Sequence, residues 1–358
     1  MNSSIQDKRK LRVTLILAVF ILCVLSMDAF AAYVAQIGTK KYQTMQGAVK
    51  AAKTGETIKV LSEISTDKQI PISGKKITID FARKKYTYKK SEGFAFLLNS
   101  GQLTLKNMYV YSRCGSVKVA SNAKLIINNG SMTGYIENSG TMQVNNGKFQ
   151  GSGSLPEDDS SGLYGPYPAV RNYGTLKVVK GIYLGKNRPM IENFGTAVLK
   201  SGTYTETNTK QYEYYFGIRN SGNMRIVNGT FVGTVYNLIS DNRQLIIVDG
   251  KFSPGQKYHE ALRNSNGRAI VTGGTFTSDG GFAANNTYDD AEENGGTLVI
   301  SGGTFKATGN GAAIGNESEL IITGGQFLLN GKKKGAIYCE EEYSKWYISR
   351  GMNLKVND

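Results

Sequence analysis

Asn172-Tyr-Gly-Thr-Leu-Lys-Val-Val-Lys-Gly-Ile-Tyr183 decides the fold, because it recurs. The chain repeats it as Asn193-Phe-Gly-Thr-Ala-Val-Leu-Lys-Ser-Gly-Thr-Tyr204 and again as Asn294-Gly-Gly-Thr-Leu-Val-Ile-Ser-Gly-Gly-Thr-Phe305. The common ruler is Asn, Gly two positions later, apolar residues four and six later, and an aromatic eleven later. Asn138 leads in this way to Met142, Val144 and Phe149, Asn220 to Met224, Ile226 and Phe231, and Asn316 to Leu320, Ile322 and Phe327. Ser121 replaces the Asn before Leu125, Ile127 and Met132, and Asp241 replaces it before Leu245, Ile247 and Phe252. Asn264 starts a copy one residue longer, ending at Phe276, and Asn99 one a residue shorter, ending at Tyr109. Val60, and Ile77 with Ile79, mark two degenerate copies ahead of these ten.

Apolar residues two apart mark a short strand with one face inward. Gly before a strand permits a sharp turn, and Asn tolerates the left-handed backbone at a bend. Asparagines stacked at one height can hydrogen-bond up a ladder, and the aromatics can stack on their neighbours. A single repeat cannot bury its own inward face, so only a stack is stable. The expected architecture is all-β: a single-stranded, right-handed parallel β-helix of about twelve coils of roughly 20 residues.

Residues 42–52 break the ruler. Met45, Ala48, Val49 and Ala52 fall at helical spacing, which predicts a short amphipathic helix capping the open first coil. Trp346, Tyr347 and Ile348 are expected to form a last irregular strand or cap. Ahead of the repeats, Lys8, Arg9, Lys10 and Arg12 precede an uncharged, mostly apolar run from Val13 to Met27, and Ala29-Phe30-Ala31 has the small-x-small cleavage pattern. Residues 1–31 therefore read as a signal peptide and 32–358 as one β-helix domain, with no membrane span in the mature chain. Retention of the segment as an anchor is the rival reading. Cys114 and Cys339 fall about nine coils apart, ~45 Å at ~4.8 Å per coil, too far for a disulfide.

Ala-Gln-Ile-Gly at 35–38, the helix ending Ala-Val-Lys-Ala-Ala, and Gly-Glu-Thr-Ile-Lys-Val at 55–60 resemble the start of bacterial pectate-lyase-like β-helix proteins. The Gly-Gly-Thr-Phe repeats resemble those of β-helical, adhesin-like surface proteins of Gram-positive bacteria. The resemblance spans nearly the whole mature chain and implies the fold. It implies much less about activity, because this fold hosts lyases, hydrolases and adhesins alike.

Charge is uneven. Residues 32–120 hold 16 Lys and Arg against 5 Asp and Glu, whereas residues 121–358 hold 23 against 21. The basic excess at the N-terminal end suits solubility or attraction to an anionic cell-wall polymer, membrane surface or acidic polysaccharide. A nucleic-acid partner is not expected for an exported chain with no binding motif.

The stretch from each aromatic to the next Asn varies in length: 23 residues from Phe149 to Asn172, 16 from Tyr204 to Asn220, and 18 from Phe276 to Asn294. The insertions are thus expected to leave the stack at one corner and form a binding edge. They carry aromatics and carboxylates, which suit sugar ring faces and hydroxyls. The candidate glycan-binding residues are Tyr164, Tyr167, Tyr212, Tyr214, Tyr215, Tyr258 and Tyr288, with Asp158, Asp159, Glu213, Asp289 and Asp290. The plainer alternative is that they decorate solvated loops.

Catalytic signals are thin. A glycoside hydrolase needs two placed carboxylates. Asp158/Asp159 and Asp289/Asp290 are adjacent acids of the kind that also solvate loops or bind calcium. The acid-pair and Gly-His-Gly motifs of polygalacturonase-like hydrolases are absent, and His259 is the only histidine. Lyases on this fold can use Arg or Lys as base. No catalytic residue, metal or cofactor is assigned, and zinc is poorly served by one His and two distant cysteines. The expectation is a secreted or cell-surface glycan-binding protein. A lyase or hydrolase acting on an acidic polysaccharide is the alternative, with a passive spacer third.

Overall fold

The computed structural model describes residues 32–151, 167–185, 188–207, 216–238, 243–289, 294–332, 336–340, 342–352 and 354. It is a parallel β-helix. Most coils contribute three short strands, the second and third faces being joined in the long strands Met108–Val119 and Gly130–Asn138, and each strand pairs in parallel with its counterparts one coil above and below. Among the described residues the first face runs through thirteen stacked strands, from Thr57–Val60 to Lys345–Ile348. The other two faces run through twelve each, from Ile64–Thr66 to Gln326–Leu329 and from Ile70–Ile72 to Ile337–Cys339.

Alternation along each strand puts one set of side chains inward. On the first face two aliphatic rows face in. One runs through Leu103, Leu125, Met142, Leu176 and Ala197, the other through Leu105, Ile127, Val144, Val178 and Leu199, and all are buried. On the second face the inward row becomes aromatic from Phe149 onward. Phe149, Tyr183, Tyr204, Phe231, Phe252, Phe276, Phe305 and Phe327 stack with ring centroids 5.0, 4.9, 4.6, 4.8, 4.4, 4.7 and 5.2 Å apart. The coil rise of ~4.8 Å is itself a good ring-stacking distance, so each contact adds about 0.5–1.5 kcal/mol beyond area burial.

On the third face the inward row is asparagine. The Nδ2 of Asn138 donates to Oδ1 of Asn172 at 2.6 Å, and the pattern continues through Asn193, Asn220, Asn237, Asn264, Asn286 and Asn316 at 2.7–2.8 Å. The spare N–H of several members turns to the carbonyl two residues on, as Asn172 does to Gly174. The ladder begins where Val119 occupies the position below Asn138, leaving the buried Asn138 Oδ1 without a donor. It ends where Asn316 Nδ2 lies 3.8 Å from Cys339 Sγ. Burial pushes the Cys339 thiol up to about 11, with the Asn316 amide pulling the other way.

The ladder register corrects part of the repeat reading. Leu98 and Val119, not Asn99 and Ser121, hold the ladder position in the early coils. Asn237 holds it where Asp241 was expected, and Asp241 lies outside the described residues. Asn286 holds it in place of Asn294. In these last two coils the extra residues fall between the Asn and the first-face strand, so counting back four from Leu245 or Leu298 stops short of the ladder.

The expected cap is present as the helix Met45–Ala51, shorter than residues 42–52. Thr44 Oγ1 accepts from the Gly47 N–H at 3.0 Å as its N-cap. Met45, Ala48 and Val49 are buried against the first coil. Lys75 Nζ donates to the carbonyls of Val49 and Lys50 at the helix C-terminus. At the other end Trp346 takes the register of Leu320 in the strand Lys345–Ile348, yet it is 47 % exposed. Cys114 and Cys339 are both free and buried. No helix among the described residues is long and apolar enough to cross a membrane.

Candidate functional site

The residue before each ladder asparagine must face outward. Strand pairing brings these residues into one row: Glu137, Arg171, Glu192, Arg219, Tyr236, Arg263 and Asn285, one per coil. Cations, carboxylates and an aromatic stand ~4.8 Å apart along the helix axis.

The N-terminal part of the row is internally paired. Lys118 Nζ meets Glu137 Oε1 at 2.8 Å, and Arg171 Nε meets Glu192 Oε2 at 2.8 Å. Glu192 is buried, as is Arg188, whose Nη1 approaches Glu192 Oε1 at 4.0 Å. Burial works to lower the Arg171 pKa, but the charge of Glu192 and its hydrogen bond outweigh that and hold it above the ordinary guanidinium value. A guanidinium tuned in that direction is a poor proton acceptor, which argues against Arg171 as a lyase base.

The C-terminal part is differently built. Arg219 Nε is buried with no hydrogen-bond partner among the described residues. The half-buried Tyr236 ring stacks on Phe216 at 4.1 Å, and the Arg263 guanidinium lies 5.8 Å from its centroid. The turn into the Tyr236 strand is the single residue Gly233 between Val232 and Thr234. Its φ of +120° is one that side-chain-bearing residues resist, and Gly217 packs so close that an added Cβ would lie 3.0 Å from it. The next coil spends residues 254–261 on the same turn. The coil of Tyr236 is thus shorter at this turn than the one that follows it.

Of the expected glycan-binding residues, Asp158, Asp159, Tyr164, Tyr212, Glu213, Tyr214, Tyr215 and Asp290 lie outside the described residues. Tyr167 is half-buried and stacks on Tyr135 at 4.3 Å, beside Phe94 and Cys114, in a small cluster on the outer surface of the asparagine face. Burial raises the Cys114 thiol there. Tyr258 is 63 % exposed and sits at φ +67°, with Lys257 Nζ 5.1 Å above its ring. A bulky residue in the left-handed region costs about 1–3 kcal/mol, so the loop holds this ring out at some expense.

The expectation of one insertion corner needs correction. Residues 254–261 do lie between an aromatic strand, Lys251–Ser253, and an asparagine strand, Leu262–Ser265, while most of the insertions after Phe149 and Tyr204 lies outside the described residues. Tyr288 and Asp289 instead follow Asn286 and pair antiparallel with Gly295 and Asn294, so their hairpin leaves at the next corner. Tyr288 stacks there on Tyr343 at 5.0 Å. Arg219, Tyr236 and Arg263 were not singled out from the sequence. Their signal was the position itself, the residue immediately before a ladder asparagine. Comparison with protein-family models, curated proteins and solved structures finds no match, so the fold rests on strand geometry and the site on the chemistry of this row.

Proposed function

We propose that the chain is a secreted or cell-surface β-helix protein that binds a glycan without cleaving it, along the outer side of the asparagine face. The observation that carries this reading is the in-register set Arg219, Tyr236 and Arg263, with the 63 % exposed ring of Tyr258 on the turn that leads to Arg263. The exposed Tyr258 ring offers stacking to a sugar, and guanidinium N–H groups donate to sugar oxygens. Nothing in the ladder or the core requires these residue types at outward positions. The basic front, apolar run and Ala29-Phe30-Ala31 of the N-terminal segment support export. The resemblance of the cap and repeats to pectate-lyase-like and Gram-positive surface β-helices supports a place at the cell envelope. The basic N-terminal coils fit an anionic wall polymer as a second contact: Lys85 Nζ stands 5.8 and 5.7 Å from the rings of Tyr109 and Tyr111, which are 46 % and 38 % exposed.

A glycan array on the purified protein, repeated with Tyr236→Ala, tests the reading. The expected result is retention of one class of glycan, lost by at least tenfold in the variant, as for a central aromatic contact worth ~2 kcal/mol. Release of shortened or unsaturated products from any retained polymer would replace binding with catalysis.

A further inference from the structure

We infer that the corner between the first and second faces holds a second site, a trough that takes a linear polyol phosphate chain along the helix axis. Three residues separate the two faces in every coil from Thr141–Gln150 to Glu319–Leu329, so no insertion leaves at this corner. The third turn residue is glycine, and Gly181, Gly202 and Gly229 make a bare floor. An added Cβ there would lie 2.9–3.0 Å from the rings of Tyr183, Tyr204 and Phe231, so the aromatic stack demands the floor. Side chains rise on both sides of it. Lys180, Ser201 and Asn228 form one wall, and Ile182, Thr203, Thr230 and Lys251 form the other, enclosing about 540 Å³. In the coils beyond, the turn reads Gly273-Gly274, Gly302-Gly303 and Gly324-Gly325, and the first wall is gone. The floor belongs to the fold, whereas the walls are confined to one stretch of it.

The walls select the ligand. Strand pairing runs Ile182, Thr203, Thr230, Lys251, so Lys180 and Lys251 stand three coils, ~14 Å, apart along the axis. Both are exposed, and no ion pair among the described residues engages either. Asp249, in the same turn row, turns its Oδ1 back onto the Gly250 N–H at 2.8 Å. The ligand is therefore an anion. Lysine serves phosphate as a point charge on a flexible stem, whereas planar carboxylates favour the arginine fork, and no arginine lines the trough. No aromatic lines it either, which removes the stacking platform that a pyranose or a nucleic-acid base uses. The Thr203, Thr230 and Lys251 N–H groups already donate to the carbonyls of Gly181, Gly202 and Gly229, so an extended peptide finds no strand edge. An acyclic polyol phosphate meets each feature: hydroxyls on Ser201, Thr203 and Thr230, methylenes on the 45 % exposed Ile182, and phosphates on the two lysines.

The experiment titrates the full-length chain with three probes of equal charge: a glycerol phosphate oligomer, an oligogalacturonate and a single-stranded DNA oligonucleotide. The glycerol phosphate oligomer is expected to bind at least tenfold tighter than the other two. Lys180→Gln/Lys251→Gln should weaken it by about tenfold or more, and Ser201→Trp, which fills the trough and leaves the charge unchanged, should do the same. Lys177→Gln/Lys306→Gln, an equal charge loss outside the trough, should change it less than twofold, and all three variants should keep the parent's thermal midpoint. Tyr236→Ala should leave this binding intact, which separates it from glycan binding on the asparagine face. An equal loss in Lys177→Gln/Lys306→Gln, or none in Ser201→Trp, would show diffuse attraction and overturn the site. Oligogalacturonate or DNA binding as tightly as the glycerol phosphate oligomer, or no binding of that oligomer, also overturns it, and each of these outcomes leaves the glycan-binding reading to its own test.

Discussion

The two sides of the asparagine face differ by a single residue in sequence and by everything in chemistry. Inward stand Asn172, Asn193, Asn220, Asn237 and Asn264, and outward, one position earlier, Arg171, Glu192, Arg219, Tyr236 and Arg263. Each inward amide is both donor to the coil above and acceptor from the coil below, so a change at one position orphans two neighbours. That reciprocity enforces uniformity. The outward row has no such constraint, and it is varied. Repetition in this molecule marks what the stack needs, and variation at a fixed register marks where another task can be built.

The contrast can be broken most violently at the aromatic stack. Tyr204 lies between Tyr183 and Phe231, fully buried. Tyr204→Ala should cost about 3–5 kcal/mol, seen as a large fall in the thermal or denaturant midpoint. Asn220→Leu comes next. It removes the acceptor of Asn193 and the donor to Asn237, at about 1–3 kcal/mol for each group left unsatisfied. Asn316→Leu, with only the weak Cys339 thiol beyond it, should cost less than Asn220→Leu. Equal costs would show that the ladder does not act through its neighbours.

A smaller effect separates buried from exposed tyrosines. Burial raises the pKa of Tyr86, Tyr135, Tyr183 and Tyr204. A folded-state pKa raised above the unfolded value means that the stability contribution is intact below ~10 and is lost progressively as pH rises past it. Absorbance at 295 nm should therefore show these four ionising only with unfolding. Reversible native titration of every tyrosine would contradict the burial of the stack. The smallest expected effect lies in the basic N-terminal coils. Retention on an anionic wall polymer should weaken as salt rises to physiological strength, and salt-indifferent retention would remove electrostatics as its cause.

The coil, the aromatic row and the capping helix were legible because each rests on a short-range rule: alternation, Gly at a turn, apolar residues at helical spacing. The ladder was only partly legible. Asn237 and Asn286 escaped because the ruler ran back from the first-face strand, and in those coils a turn of different length intervenes. The same slip put the Tyr288 hairpin at the wrong corner. The outward row escaped for a different reason. Arg219 and Arg263 look like any surface arginine until strand register sets them on either side of Tyr236, and register depends on turn lengths that no local pattern supplies.

The central claim is that the inward row carries the fold while its outward neighbours are free to carry binding. It is tested most directly by one paired measurement, the thermal midpoint and glycan affinity of Asn220→Leu against the double variant Arg219→Gln/Tyr236→Ala. The account predicts a strongly lowered midpoint for the first, and for the second a much smaller fall with binding lost. A double variant as destabilised as Asn220→Leu, or one that binds as the parent does, would contradict it.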